Sequence, residues 1–208
     1  MNGEIGMYLE TARLIIRDFC EADAPALYDI KYDEQVRYFC PDFLEVDVSL
    51  DDTEEFIRKF NSYEIKKDID AWRCYAIEHK RSHEVIGCLC FGVQDMLFEY
   101  ELGWMMKRAF TKNGYATEAA SAFSEYICDT HNLSYLIVVM DVDNPASMRC
   151  AEKAGFRLFE KRTVYDYSCN RYCDDYYYFR RYSLNCTLAP KFYGDIPYEG
   201  RIVNAGDE

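Results

Sequence analysis

The spacing of apolar positions changes several times along this chain, and each change marks an element. Met7 to Phe19, MYLETARLIIRDF, alternates as a strand does, with Leu14 and Ile16 on one face. Glu21 to Tyr38 places Ala24, Leu27, Tyr28 and Ile30 at helical spacing. Ser49, with Asp52 three residues on, resembles a capping box ahead of an amphipathic helix reaching about Lys67. Three strand-like runs follow, Ala71 to His79, Val85 to Val93 and Leu97 to Met106. The polar stretches 80–84 and 94–96 separate them, which predicts an antiparallel meander. From Gly114 the positions Ala116, Ala119, Ala120, Phe123 and Ile127 return to helical spacing, through Thr130. Leu133 to Val142, with LIVVM at its centre, reads as a strand buried on both faces. Asn144-Pro145 breaks it and opens another helix, with proline where helix starts tolerate it. That helix ends at Gly155, Phe156 begins a strand, and Asp174 to Leu184 reads as the last one. The order is that of a mixed α/β domain.

Within this pattern, Glu99 to Ala120 (EYELGWMMKRAFTKNGYATEAA) reads as strand, short glycine-bearing turn and helix start. The first N–H groups of a helix have no intrahelical partner and its dipole favours negative charge there. Asn113, Gly114, Tyr115 and Ala116 are therefore placed to aim backbone N–H groups at one anion. Glycine lets the backbone come close to it.

Composition narrows the classes. Half of the 208 residues are hydrophobic, as in a globular protein with a sizeable core. A net charge of −13 argues against nucleic acid as partner, despite 19 tyrosines that could stack on bases. No basic start followed by an apolar run suggests a signal peptide, and no run of ~18 apolar residues suggests a membrane span. The expectation is a cytoplasmic protein. Its ten cysteines then read as reduced, small apolar residues. Neither Cys88-x-Cys90, in a strand, nor Cys169-x3-Cys173, in a tyrosine-rich turn, has the spacing of paired zinc knuckles. The three histidines, His79, His83 and His131, form no HxxxH, so no metal is expected. Residues 41–55 hold Asp42, Glu45, Asp47, Asp51, Asp52, Glu54 and Glu55 with no base. They read either as a solvated helix N-terminus or as a rim that attracts an amine. The aromatics crowding Phe159 to Tyr182 suit core and cross-strand packing, with stacking on a substrate as the other reading.

The combination ELGWMM...KNGYATEAA, a buried strand, then NPASMRCAEKAGF, preceded by LETARLIIRDF, resembles the GCN5-related N-acetyltransferase (GNAT) superfamily, and within it the RimJ/RimL-like branch. The resemblance spans about residues 8 to 184. Each block is weak alone; their order and ~30-residue separation by a buried strand make the pair specific. It implies one α/β (α+β) domain over residues 1–186, with a mixed, centrally splayed sheet of about seven strands flanked by helices, and a C-terminal tail over 187–208. It also implies that acetyl-CoA enters the splay, its pantetheine pairing with backbone near Trp104, Met105 and Met106 like an added strand. The pyrophosphate is then expected on Lys112, Asn113, Gly114, Tyr115, Ala116 and Thr117. One departure stands out. The family's phosphate loop usually leads with Gln or Arg, and here Thr111 holds that place; Lys107, Arg108 and Lys112 offer cations nearby.

For the chemistry, the resemblance makes Glu101 the base, acting through water, with Glu99 two residues earlier on the same face in reserve. Backbone N–H near Met105 would polarise the carbonyl. Many family members carry a tyrosine acid where this chain has Ala151, so Ser147 becomes the candidate hydrogen bond to the thiol. Asn144 is the expected pantetheine or acceptor contact. Asn144 and Ser147 are also well placed as a plain helix cap. The expectation is an N-acetyltransferase acting on a protein N-terminal amine or a small cationic amine, by direct attack in a ternary complex. The alternative is a non-catalytic CoA-binding or protein-interaction module of the same fold. Oligomeric state has no signature, though the aromatic C-terminal region is consistent with a homodimer.

Overall fold

The computed structural model describes residues 6–40, 49–94, 98–166, 171–188 and 190. Eight strands form one sheet: β1 (Tyr8–Glu10), β2 (Leu14–Asp18), β3 (Arg73–His79), β4 (Glu84–Gln94), β5 (Glu99–Met106), β6 (Tyr135–Asp141), β7 (Arg157–Asp166) and β8 (Arg171–Tyr182). Their order is β1-β2-β3-β4-β5-β6-β8-β7, antiparallel everywhere except between β5 and β6. Six α-helices accompany them: α1 (Ala24–Lys31), α2 (Glu34–Phe39), α3 (Leu50–Phe60), α4 (Tyr63–Lys66), α5 (Tyr115–His131) and α6 (Pro145–Lys153).

The eighth strand arises because the run from Met7 to Phe19 is a hairpin. Thr11 closes it: its N–H donates to Leu14 O at 2.9 Å and its hydroxyl accepts from the Leu14 N–H at 3.0 Å. Alternation continues across the turn, so periodicity alone does not show it. The helical run from Glu21 to Tyr38 likewise breaks at Asp33, whose carboxylate accepts from the N–H groups of Gln35 and Val36 and starts α2. The amphipathic run from Ser49 to Lys67 divides into α3 and α4. The acids Asp42, Glu45 and Asp47, Cys169, and all of the tail except residues 187, 188 and 190 lie outside the described residues.

Two cores sandwich the sheet. Leu14, Ile77, Leu102, Phe123, Val138 and Phe156 belong to the core under α5 and α6, while Leu27, Ile30, Ile57, Cys74, Cys88 and Met105 fill the one under α1 and α3. Each such side chain, fully buried, contributes roughly 1.5–3 kcal/mol. In β6, Leu136, Val138 and Met140 enter the first core and Ile137 is buried on the opposite face. Val139 is only half-buried, which corrects the expectation of a strand covered throughout.

The parallel contact places the site. β5 is paired with β4 along its whole length, whereas β5 and β6 share a single register pair among the described residues, Glu101 with Ile137, and none beyond it. The two strands therefore part just beyond Glu101. Because they run parallel, the starts of α5 and α6 follow at the same end of the gap, and the Thr117 hydroxyl meets Cys150 Sγ at 3.5 Å between those helices.

Candidate active site

The turn after β5 is held by a backbone bond to β4 and by its own side chains. Lys107 N–H donates to Ile86 O at 2.8 Å, the Thr111 hydroxyl to Arg108 O at 2.8 Å, and Asn113 Nδ2 to Thr111 O at 3.0 Å. Lys112 and Gly114 both have left-handed backbones, with φ of +63° and +78°. Glycine adopts this freely; for Lys112 it costs on the order of 1–3 kcal/mol, which the surrounding bonds offset. Gly114 is the N-cap of α5, and the N–H groups of the helix start that follows, from Tyr115 to Thr117, have no partner inside the helix. The turn is thus fixed before any ligand arrives.

Side chains of the expected cosubstrate residues take several directions. Tyr115 turns back to β3, its hydroxyl 3.3 Å from His79 Nε2, so its N–H rather than its ring faces the turn. Lys112 and Asn113 are exposed, and Ala116 is half-buried against the core under α5. Lys107, one of the three nearby cations, pairs with Glu84 at 3.3 Å. Met105 and Met106 are buried in opposite cores while Trp104 is half-buried, so these residues can offer a ligand backbone more readily than side chains.

Glu101 stands where the strands part. Burial pushes its carboxyl up to about 8, and a hydrogen bond from the Val139 N–H limits the rise. Glu99, on the same face, is otherwise engaged: it pairs with Arg180 and accepts from the Tyr135 hydroxyl at 2.7 Å. Arg180 in turn lies over the rings of Tyr135 and Phe159, at 4.3 and 3.6 Å. Of the two strand acids, Glu101 is the one free to take a proton.

The walls beside Glu101 are aromatic. Gly92 faces Glu101 in the β4–β5 register, and a Cβ on Gly92 would come within 2.7 Å of Trp72 Cα and 2.9 Å of its Cγ. Trp72 therefore packs directly on this glycine, one strand away from Glu101. On the other side Tyr178 lies across from Val139, near enough to Glu101 to feel its charge; burial and that charge raise its phenol.

At the second helix start, Asn144 Oδ1 accepts from the Ser147 N–H at 3.1 Å, the N-cap of α6. The cap leaves Asn144 Nδ2 and the half-buried Ser147 hydroxyl without a hydrogen bond among the described residues. Ala151 is wholly buried in the core. Cys150 accepts from Thr117, and burial raises its thiol above the ordinary value. It is a poor nucleophile in that state. Among the described residues no group of three or more His, Cys, Asp or Glu is arranged to hold a metal.

The sequence matches the family described as acetyltransferase (GNAT) domain over residues 13–157. The chain belongs to the GNAT acetyltransferase family. It is similar to an uncharacterized N-acetyltransferase, YnaD, of Bacillus subtilis (strain 168), at 28% identity over 174 residues, covering 83% of this chain and 95% of the relative. A crystal structure of a GNAT-family acetyltransferase from Bacillus anthracis superposes with a TM-score of 0.69 at 25% identity, covering 85% of this chain and 98% of the other. The ribosomal L7/L12 α-N-protein acetyltransferase RimL, in complex with coenzyme A, shares the fold with a TM-score of 0.69 at 17% identity, covering 85% and 98%. This GNAT domain is an acetyl-CoA-dependent acetyltransferase, with the single mixed sheet expected of the RimJ/RimL-like branch.

Three residues near the site escape a reading of the sequence. Trp72 was signalled only by a glycine inside a strand, Gly92, which often marks the close approach of another group. Tyr178 is one of many aromatics in its segment. Arg13 comes to the turn before α5 from the β1–β2 hairpin. Its Nη1 donates to Asn113 O at 3.0 Å, and its Nε and backbone N–H donate to Glu118 at 2.6 and 2.8 Å. No local pattern connects positions so far apart in the chain.

Proposed function

We propose that this GNAT domain transfers the acetyl group of acetyl-CoA to a primary amine, either a protein N-terminal amine or a small cationic amine, by direct attack in a ternary complex. The observation that carries the reading is Glu101, a carboxyl whose proton affinity burial raises to about 8 at the point where β5 and β6 part. A base near that value accepts a proton from an alkylammonium without releasing it too reluctantly afterwards. The neutral amine attacks the thioester carbonyl, the C–S bond breaks, and the thiolate takes a proton. Ser147, with its hydroxyl uncommitted, is the group to hydrogen-bond that sulfur, and Asn144 Nδ2 is its neighbour for the pantetheine or acceptor. The phosphates rest on Lys112 to Thr117 and the pantetheine pairs along Trp104 to Met106. An acyl-enzyme is disfavoured because the thiol beside the gap, Cys150, is held protonated.

RimL, a ribosomal L7/L12 α-N-protein acetyltransferase, supports the protein-amine arm. Acids at the start of α3 support the cationic one. Eight cysteines are free among the described residues, which supports a cytoplasmic site of action. We assign residues 1–186 to the catalytic domain and 187–208 to its tail.

The test is release of free thiol from acetyl-CoA with a panel of amines and N-terminal peptides, followed against pH. Turnover should rise with pH to a plateau above about 8, and Glu101→Gln should lower kcat/KM by roughly 10²–10⁴, the usual range for one acid–base group. Ala151, buried where a tyrosine acid often stands, favours a second reading, a CoA-binding module without catalysis. CoA binding with no turnover on any acceptor would select it.

A further inference from the structure

Thr111 leaves the phosphate turn without the cation or amide that usually leads it, and its own hydroxyl is spent on Arg108 O. Lys107 is paired with Glu84. Glu118, in the first turn of α5, adds a negative charge close to where an anion must bind. One residue answers all three problems. The Arg13 guanidinium lies over the Tyr115 ring at 4.5 Å, with Nε on Glu118 and Nη1 on Asn113 O. Its remaining nitrogen, Nη2, makes no hydrogen bond among the described residues. It sits beside the turn, 3.5 Å from where a Cβ on Gly114 would stand.

We propose that Arg13 is the cation of the phosphate turn, holding its left-handed backbone through Asn113 O and presenting Nη2 to the pyrophosphate of acetyl-CoA. The inference rests on the acetyl-CoA reading above and adds a residue to it. Three fixed contacts leave the fork little freedom to lose on binding, which is why a guanidinium suits this place better than an ammonium. Neutralising Glu118 is the second half of the role. Without Arg13, that carboxylate would repel the incoming phosphates from the turn.

Initial rates and calorimetric titration with CoA test this. Arg13→Met should raise KM for acetyl-CoA and Kd for CoA about tenfold or more, the range of one charge-assisted hydrogen bond, with kcat at saturating acetyl-CoA nearly unchanged. Arg13→Lys should lose less. Adding Glu118→Gln to Arg13→Met should recover part of the affinity, because the unpaired negative charge is gone. Acetyl-dephospho-CoA should show the same loss factor as acetyl-CoA, since the pyrophosphate is common to both. An unchanged KM in Arg13→Met would overturn the proposal, as would a loss confined to the 3′-phosphorylated cosubstrate. So would a fall of kcat and thermal stability together in both Arg13 variants, which would mark Arg13 as a brace only. Wild-type protein that fails to bind CoA in the titration would bring down the acetyl-CoA reading itself, whereas equal binding by wild type and Arg13→Met removes Arg13 alone.

Discussion

At the scale of single residues, Glu101 joins chemistry to stability. A carboxyl that ionises near 4.5 in the unfolded chain and near 8 in the fold binds its proton more tightly when folded. Between those values the native state holds the extra proton, so stability falls as pH rises, by at most roughly 1.4 kcal/mol per pH unit. Below about 4.5 both states are protonated and the cost vanishes. Glu101→Gln removes the titration while keeping the shape. It should therefore unfold at higher urea than wild type at pH 9, and the two should coincide at pH 4. Coincident midpoints at both pH values would mean that the carboxyl titrates normally and is no general base. Gln at this place is thus expected to stabilise the protein while lowering its activity, a combination that a purely structural acid would not give.

Helix starts are the elements on which the site depends, and they behave differently. α6 is capped by its own sequence: Asn144 accepts from the Ser147 N–H, so Asn144→Ala should cost about 0.5–2 kcal/mol, read as a lower thermal midpoint. Asn144→Ser keeps a neutral cap acceptor and removes the Nδ2 donor without adding charge. Normal stability with a raised KM would then isolate the ligand contact from the cap, and a normal KM would leave Asn144 as a cap alone. The start of α5 has no side-chain cap hydrogen bond, and its first N–H groups have no partner inside the helix. This contrast was legible in the sequence, because Asn-Pro and Asn-Gly are local signals with a fixed conformational meaning. Most strands and the approximate bounds of α5 and α6 were legible for the same reason, while the splay between 99–106 and 134–142 came from the family resemblance. Long-range pairings were not. Arg13 reaches Asn113 across the fold, Arg180 claims Glu99 from β8, and Trp72 covers Gly92 from just before β3. Each depends on which strands become neighbours, and sheet order is a property of the whole chain. The hairpin at Thr11 and the break at Asp33 were hidden for a simpler reason: the apolar spacing continues across both.

The whole molecule carries a net charge of −13, while its cosubstrate is anionic and one class of acceptor is cationic. Arg13, Arg108 and Lys112 gather positive charge around the turn before α5. On α3, Asp52 is held by Ser49 at 2.6 Å and Glu54 stands 3.8 Å from Arg58, leaving Asp51 and Glu55 as exposed, uncommitted acids. Such a field draws a cation toward the protein from beyond contact distance, and salt screens it over about 10 Å at 0.1 M. KM for a diamine or a lysine-rich N-terminal peptide should therefore rise severalfold between low and high ionic strength, while KM for an uncharged peptide amine stays level. Asp51→Asn with Glu55→Gln should reproduce part of that rise at low salt, for the cationic acceptors only, because neither acid makes a side-chain hydrogen bond or ion pair among the described residues and the Ser49 cap of α3 is kept. If both acceptor classes respond alike, or neither responds, the acids at the start of α3 serve the helix dipole and solvation, and acceptor choice must lie in the aromatic walls that Trp72 and Tyr178 raise beside Glu101.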